Sequence, residues 1–194
     1  MERRTFKIIY GIGVFIMTLI RLPYHRRART RRIVVDRMTA REKALLAFLA
    51  VGTGALPAVY SFTPWLNFAN VKLRSWAGWT GASIFAVGLG VFWRAHAALG
   101  PYWSHSLQLR QGHPLITRDI YRYIRHPMYA FGWLLGIAQL LLLQNWIVGP
   151  SGLVSFGLLY FSRVRREESM LFDQFGAAYQ AYMQRTGRII PRLK

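Results

Sequence analysis

The chain has 194 residues, 53% of them hydrophobic, and a formal net charge of +19 from 26 Lys and Arg against 7 Asp and Glu. Its apolar residues are gathered into runs with the charges between them, which argues against an ordinary soluble globule and against a basic nucleic-acid domain, since such domains seldom consist of segments near membrane-spanning length. The absence of cysteine excludes a disulfide framework, a thiol nucleophile and a cysteine-ligated metal.

In chain order, the apolar runs predict helices over 6–22, 44–62, 76–99, 128–143 and 146–164. Backbone amides in lipid must be satisfied within the segment, and no steady period-2 alternation suggests a barrel. The expected fold is therefore an all-α integral membrane protein of about five transmembrane helices. The first run ends at Arg21 without a small-residue cleavage site, so it is read as a retained span rather than a signal peptide. The loop over 23–43 is rich in arginine, from Arg26 to Lys43. By the positive-inside rule it is cytoplasmic, which puts the N-terminus outside and the 100–126 stretch and C-terminus inside. A prokaryotic chain would place this arrangement in the cell inner membrane. The same loop attracts anionic headgroups, at about 1 kcal/mol per basic residue. Small residues recur on one face of the third run (Gly78, Ala82, Ala86) and of the fourth (Gly132, Gly136), a signal for close helix packing.

Organisation divides between 1–99, three spans with the basic loop, and 100–194, which carries the polar chemistry; the two form one folding unit. His105, His113 and His126 fall between the third and fourth spans. No metal-ligand spacing links them, so no metal is expected. Pro127 suits the first turn of a helix, placing Arg125 and His126 at a helix N-terminus where an anionic group is favoured. Each residue there also reads as an interfacial anchor. Beyond the fifth span, Leu171, Phe175, Ala178 and Tyr182 recur at helical spacing, which predicts an amphipathic cytoplasmic C-terminal helix. Arg163 and Glu167 share a helix face, either as a functional pair or as an ordinary surface pair worth a few tenths of a kcal/mol.

Gly112-His113-Pro114-Leu115-Ile116, Tyr121 and Arg125-His126-Pro127-Met128-Tyr129, followed by Arg163, Glu167-Glu168, Phe175-Gly176, Tyr179 and Arg185-Thr186-Gly187-Arg188, resemble the isoprenylcysteine carboxyl methyltransferase family in a short prokaryotic form. They also resemble the related phospholipid methyltransferases. The resemblance covers roughly 90–194. It implies S-adenosylmethionine-dependent methyl transfer to a lipid-like or prenylated acceptor at the cytoplasmic face, with no nucleic-acid partner. It further implies a cofactor pocket of Gln108, His113, Pro114, Leu115, Ile116, Tyr121, Arg125, His126, Pro127, Met128, Tyr129 and Glu167, with Arg163 steering the acceptor and acting with Glu167 in catalysis. A carboxylate acceptor is already ionised at neutral pH and needs mainly orientation; an amine acceptor, as in phospholipid N-methyltransfer, needs Glu167 or Glu168 as a base. A lipid- or partner-binding membrane module without catalysis is the reading from a different class.

Overall fold

The computed structural model describes residues 2–29, 33–36, 39–103, 108–110, 112 and 114–192. Six helices carry the fold: α1 (Glu2–Arg29), α2 (Ala40–Phe62), α3 (Ser75–Leu99), α4 (Pro127–Leu143), α5 (Val148–Phe175) and α6 (Ala177–Arg185). Glu2–Arg27, Ala40–Phe62 and Ser75–Tyr102 are long and apolar enough to cross a membrane, and Pro127–Leu143 is a shorter apolar helix. The protein is thus a membrane-spanning helical protein with at least three such helices. Each predicted run lies within a helix or nearly so, but the last is extended: α5 continues to Phe175, so its second half carries Arg163, Arg165, Arg166, Glu167 and Glu168. A small sheet interrupts the all-helical expectation, with β1 (Ile33–Asp36) paired antiparallel to β2 (Gln108–Arg110).

The core lies where α1, α3 and α4 meet, around Phe6, Tyr10, Phe85, Phe92, Phe131, Leu135 and Leu142. Small residues set the close approaches: a Cβ on Gly78 would meet the Phe6 ring of α1, and one on Gly132 would meet the Phe156 ring of α5 at 2.1 Å. Both belong to the small-residue faces read from the sequence.

One end of the bundle is locked by polar contacts. The Asn145 amide donates to Leu66 O at 2.8 Å, while its carbonyl accepts from the N–H groups of Ile147 and Val148, capping α5. Backbone bonds from Val71 to Gln144 and from Trp146 to Ala69 join the α2–α3 connection to the α4–α5 turn. Midway along α2, Val51–Ala55 form a π-helical turn. The buried Gln139 amide donates to Gly52 O in that turn, and accepts from the Tyr10 hydroxyl. Ser151 donates to the same carbonyl at 2.8 Å. Gln139 is fully buried, where leaving its amide unpaired costs several kcal/mol.

The opposite end gathers the C-terminus of α1, the N-termini of α2 and α4, the C-terminal half of α5, and α6. There the chain builds its polar site.

Candidate active site

Pro127 opens α4 at its first position, where its missing N–H costs no helix hydrogen bond. The residues leading into it are clamped by the tail: Arg125 N–H donates to Gly187 O, His126 N–H to Arg188 O, and Gly187 N–H to Tyr123 O. The helix α5 ends at Gly176, whose φ of 52° suits glycine, and the turn there sends α6 back across the site. The predicted extension of the fifth span is therefore two helices, not one. The Tyr182 hydroxyl on α6 donates to Tyr121 O at 2.6 Å, fastening α6 to the α3–α4 connection.

Glu167 and Glu168 are adjacent and about 100° apart around α5, and so face different neighbours. Glu168 is buried among cations: it accepts from Arg125 at 3.1 and 3.2 Å and from Arg188 at 2.6 and 3.1 Å, with His126 Nε2 at 3.3 Å. Burial alone would raise its carboxyl, but the contacts with His126 and Arg188 outweigh burial and hold it down at about 2. Arg125 also donates to the carbonyls of Met183 and Thr186. Glu167 accepts from the Tyr129 hydroxyl and lies 3.9 Å from His126 Nδ1. Burial, followed by the charge of Glu167 and then Tyr182, pushes the Tyr121 hydroxyl well up, as expected for a ring enclosed beside a carboxylate.

A single cavity of about 630 Å³ connects these groups. Its polar end is lined by Tyr121, Arg125, His126, Tyr129, Arg163, Glu167, Tyr179 and Tyr182, with Pro114, Leu115 and Ile116 along one side. Its apolar arm runs into the bundle past Val14 and Met17 of α1, Leu46 and Leu49 of α2, Phe131 and Leu135 of α4, and Phe156 and Leu159 of α5. Met128 lines it as well, whereas Pro127 is buried and serves the helix start. Of the other expected cofactor residues, Gln108 is placed only by its backbone in β2, and His113 lies outside the described residues, as does His105.

Arg21 and Trp103 in the lining, and Glu42 outside it, were not singled out from the sequence. Arg21 stacks over the Trp103 ring at 4.9 Å, and both line the cavity. Tyr179, which belongs to the family-like motifs, has a buried hydroxyl without a hydrogen-bond partner among the described residues, the kind of orphaned donor that a bound polar ligand satisfies. Glu42, in the first turn of α2, is 3% exposed, with Oε1 3.4 Å from Arg163 Nε. Its only sequence signal is that acidic residues are scarce. Among the described residues no group of three His, Cys, Asp or Glu is arranged to hold a metal ion.

The 114–129 stretch and the second half of α5 thus build a polar pocket continuous with an apolar arm. Residues 81–173 match the Isoprenylcysteine carboxyl methyltransferase (ICMT) family. The ICMT match contains Arg125 to Tyr129, Arg163 and Glu167-Glu168. Protein-S-isoprenylcysteine O-methyltransferases are similar to the chain: that of Dictyostelium discoideum is 33% identical over 135 residues, covering 66% of this chain and 54% of the relative. That of Tribolium castaneum is 28% identical over 126 residues (64% and 45%), and that of Homo sapiens 26% over 145 residues (70% and 51%). The chain thus spans about half the length of these relatives. A solved structure of the eukaryotic intramembrane Ras methyltransferase ICMT shares the fold, with a TM-score of 0.53 and 24% identity over 81% of this chain and 54% of that one. The expected likeness to a short prokaryotic form of ICMT is corrected by these matches, which are to eukaryotic proteins.

Proposed function

We propose that the chain is an S-adenosylmethionine-dependent carboxyl O-methyltransferase acting on a lipid-like acceptor, as its isoprenylcysteine-methylating relatives are named. The observation that carries this reading is the cavity itself, which joins a polar end holding Glu167, His126, Tyr121 and Arg163 to an apolar arm between α1, α2, α4 and α5. A small polar cofactor and an apolar acceptor need such a divided space. The residues present suit the cofactor: Glu167 offers a carboxylate near a cationic centre, Tyr121, His126 and Tyr129 offer ring faces, and the Tyr179 hydroxyl lacks a partner.

When bound, S-adenosylmethionine supplies a methyl group on a sulfonium, so that transfer is an in-line displacement that neutralises positive charge. Arg163 would receive the acceptor carboxylate and fix its orientation in the cavity, since an ionised carboxylate needs orientation more than a base. Glu167, held by Tyr129, sets the negative charge at the polar end. The apolar walls exclude water from the reacting groups. An amine acceptor would call on a glutamate as base, and Glu168, ringed by Arg125, Arg188 and His126 and held at about 2, is unsuited to take a proton. Glu167, which lines the cavity, is then the base that an amine acceptor would require.

In this reading α4 and α5 form a further hairpin through the membrane, giving five spans. The basic loops and the cavity mouth then face the cytosol, and the 100–194 half holds the cofactor. The test is to incubate purified protein with methyl-labelled S-adenosylmethionine and lipid extracts, and to identify the labelled product by mass. Arg163→Ala is expected to abolish turnover of a carboxylate acceptor while cofactor affinity, measured calorimetrically, stays within a few-fold. Equal loss of cofactor binding would remove Arg163 from the acceptor side. Absence of saturable cofactor binding by folded protein would refute the enzyme reading in favour of a binding module.

A further inference from the structure

We infer that Glu42, at the start of α2, is a positioning residue that fixes the orientation of the Arg163 guanidinium toward the acceptor carboxylate. The inference rests on the acceptor-binding role proposed for Arg163 and goes beyond it by assigning a second residue from a separate helix, outside the stretch that matches the family. Arg163 forms part of the cavity wall and Glu42 does not, so the carboxylate stands behind the guanidinium as seen from the cavity.

The contact is at the Nε edge, 3.4 Å from Glu42 Oε1. The two atoms do not hydrogen-bond to each other, so the carboxylate acts on arginine's rigid planar fork as a neighbouring buried negative charge that draws its Nε edge toward α2. Glu42 is itself held firmly. Its backbone N–H donates to the Thr39 hydroxyl, the N-cap of α2, at 3.3 Å. Its other carboxylate oxygen lies 3.9 Å from Arg166, one turn along α5 from Arg163. Two cations therefore share one carboxylate, which leaves Arg163 with positive charge to offer an incoming anion.

A buried carboxylate is costly to desolvate, and here two arginines lie within 4 Å of it to offset that cost. A purely architectural pair would affect stability and leave acceptor recognition untouched. A positioning pair acts on recognition through Arg163, and the two cases separate kinetically.

The experiment uses the full chain in nanodiscs, with a prenylated cysteine bearing a free carboxylate as acceptor. Glu42→Gln is expected to raise KM for the acceptor roughly tenfold at little change in cofactor affinity. Glu42→Asp, which keeps the charge but shortens the reach, should give an intermediate rise, and reports even if Glu42→Gln folds poorly. In an Arg163→Lys background, which lacks Nε, Glu42→Gln should add nothing further. Wild-type KM in the Glu42 variants, or an undiminished rise in the Arg163→Lys background, would overturn the inference while leaving the methyltransferase reading standing. Failure of the wild-type protein to methylate any carboxylate acceptor would overturn both.

Discussion

Replacing Glu168 by Gln removes the charge around which three separate stretches of chain are organised: Arg125 and His126 ahead of α4, the second half of α5, and Arg188 in the tail. The folded carboxyl sits at about 2 against an ordinary 4.5, and each pKa unit is worth about 1.4 kcal/mol, so the displacement corresponds to about 3 kcal/mol. The sign follows from the direction of the shift. A carboxyl held down in the folded state contributes its stabilisation in full above pH 4.5 and loses it as pH falls toward 2, with about 2 kcal/mol gone by pH 3. For a chain of this size each kcal/mol moves Tm by roughly 2–4 °C, so Glu168→Gln should melt about 6–12 °C lower at pH 7. The assay is thermal unfolding in detergent, followed by tryptophan fluorescence from pH 7 to pH 3. The gap between wild type and variant should be widest at pH 7 and narrow below pH 4.5. A gap under about 1 °C at pH 7, or one unchanged across the range, would refute the reasoning.

Two further outcomes follow from close packing and from the buried amide. A Cβ on Gly132 would meet the Phe156 ring, and both residues line the apolar arm, so Gly132→Val should destabilise by about 1–3 kcal/mol and raise KM for long-chain acceptors more than for truncated ones. Gln139→Leu would deprive Gly52 O of one donor and the Tyr10 hydroxyl of one acceptor. It should cost about 1–3 kcal/mol, visible as a lower Tm in detergent with the pH dependence of wild type retained.

Most of the helical architecture was legible because apolar runs and the arginine-rich stretches between them report the lipid boundary directly. Pro127 at a helix start and the small-residue faces at Gly78 and Gly132 were equally readable, since both are local features. Hydropathy ends the fifth span at 164, where charge begins, whereas the helical spacing of Leu171 and Phe175 reads on past it, and α5 continues to Phe175. Gly176 as a break within the predicted extension could be read only with hindsight: the periodicity of Phe175, Ala178 and Tyr182 runs straight across it. The pairing of β1 with β2 left no pattern, because it joins backbone of two loops remote in sequence. The adjacent glutamates were noticed, but their division of labour depends on which partners surround each face of α5. Glu42 was hidden for the same reason, since its partner Arg163 comes from a helix far along the chain. Family likeness located the 114–129 stretch and the Arg163 to Glu168 stretch; it offered nothing on the α1 and α2 residues that complete the cavity.

The π-helical turn at Val51–Ala55 gives α2 a surplus residue, and the chain absorbs it in one wide turn in place of winding it into the helix. Were that turn to relax to ordinary α geometry, the half of α2 bearing Glu42 would rotate by about 100° relative to the half bearing Tyr60. Gln139 and Ser151, by holding the Gly52 carbonyl, set the rotational phase of the helix from the middle of the bundle. The direction in which Glu42 faces is thereby set from the bundle interior, by two groups remote from it.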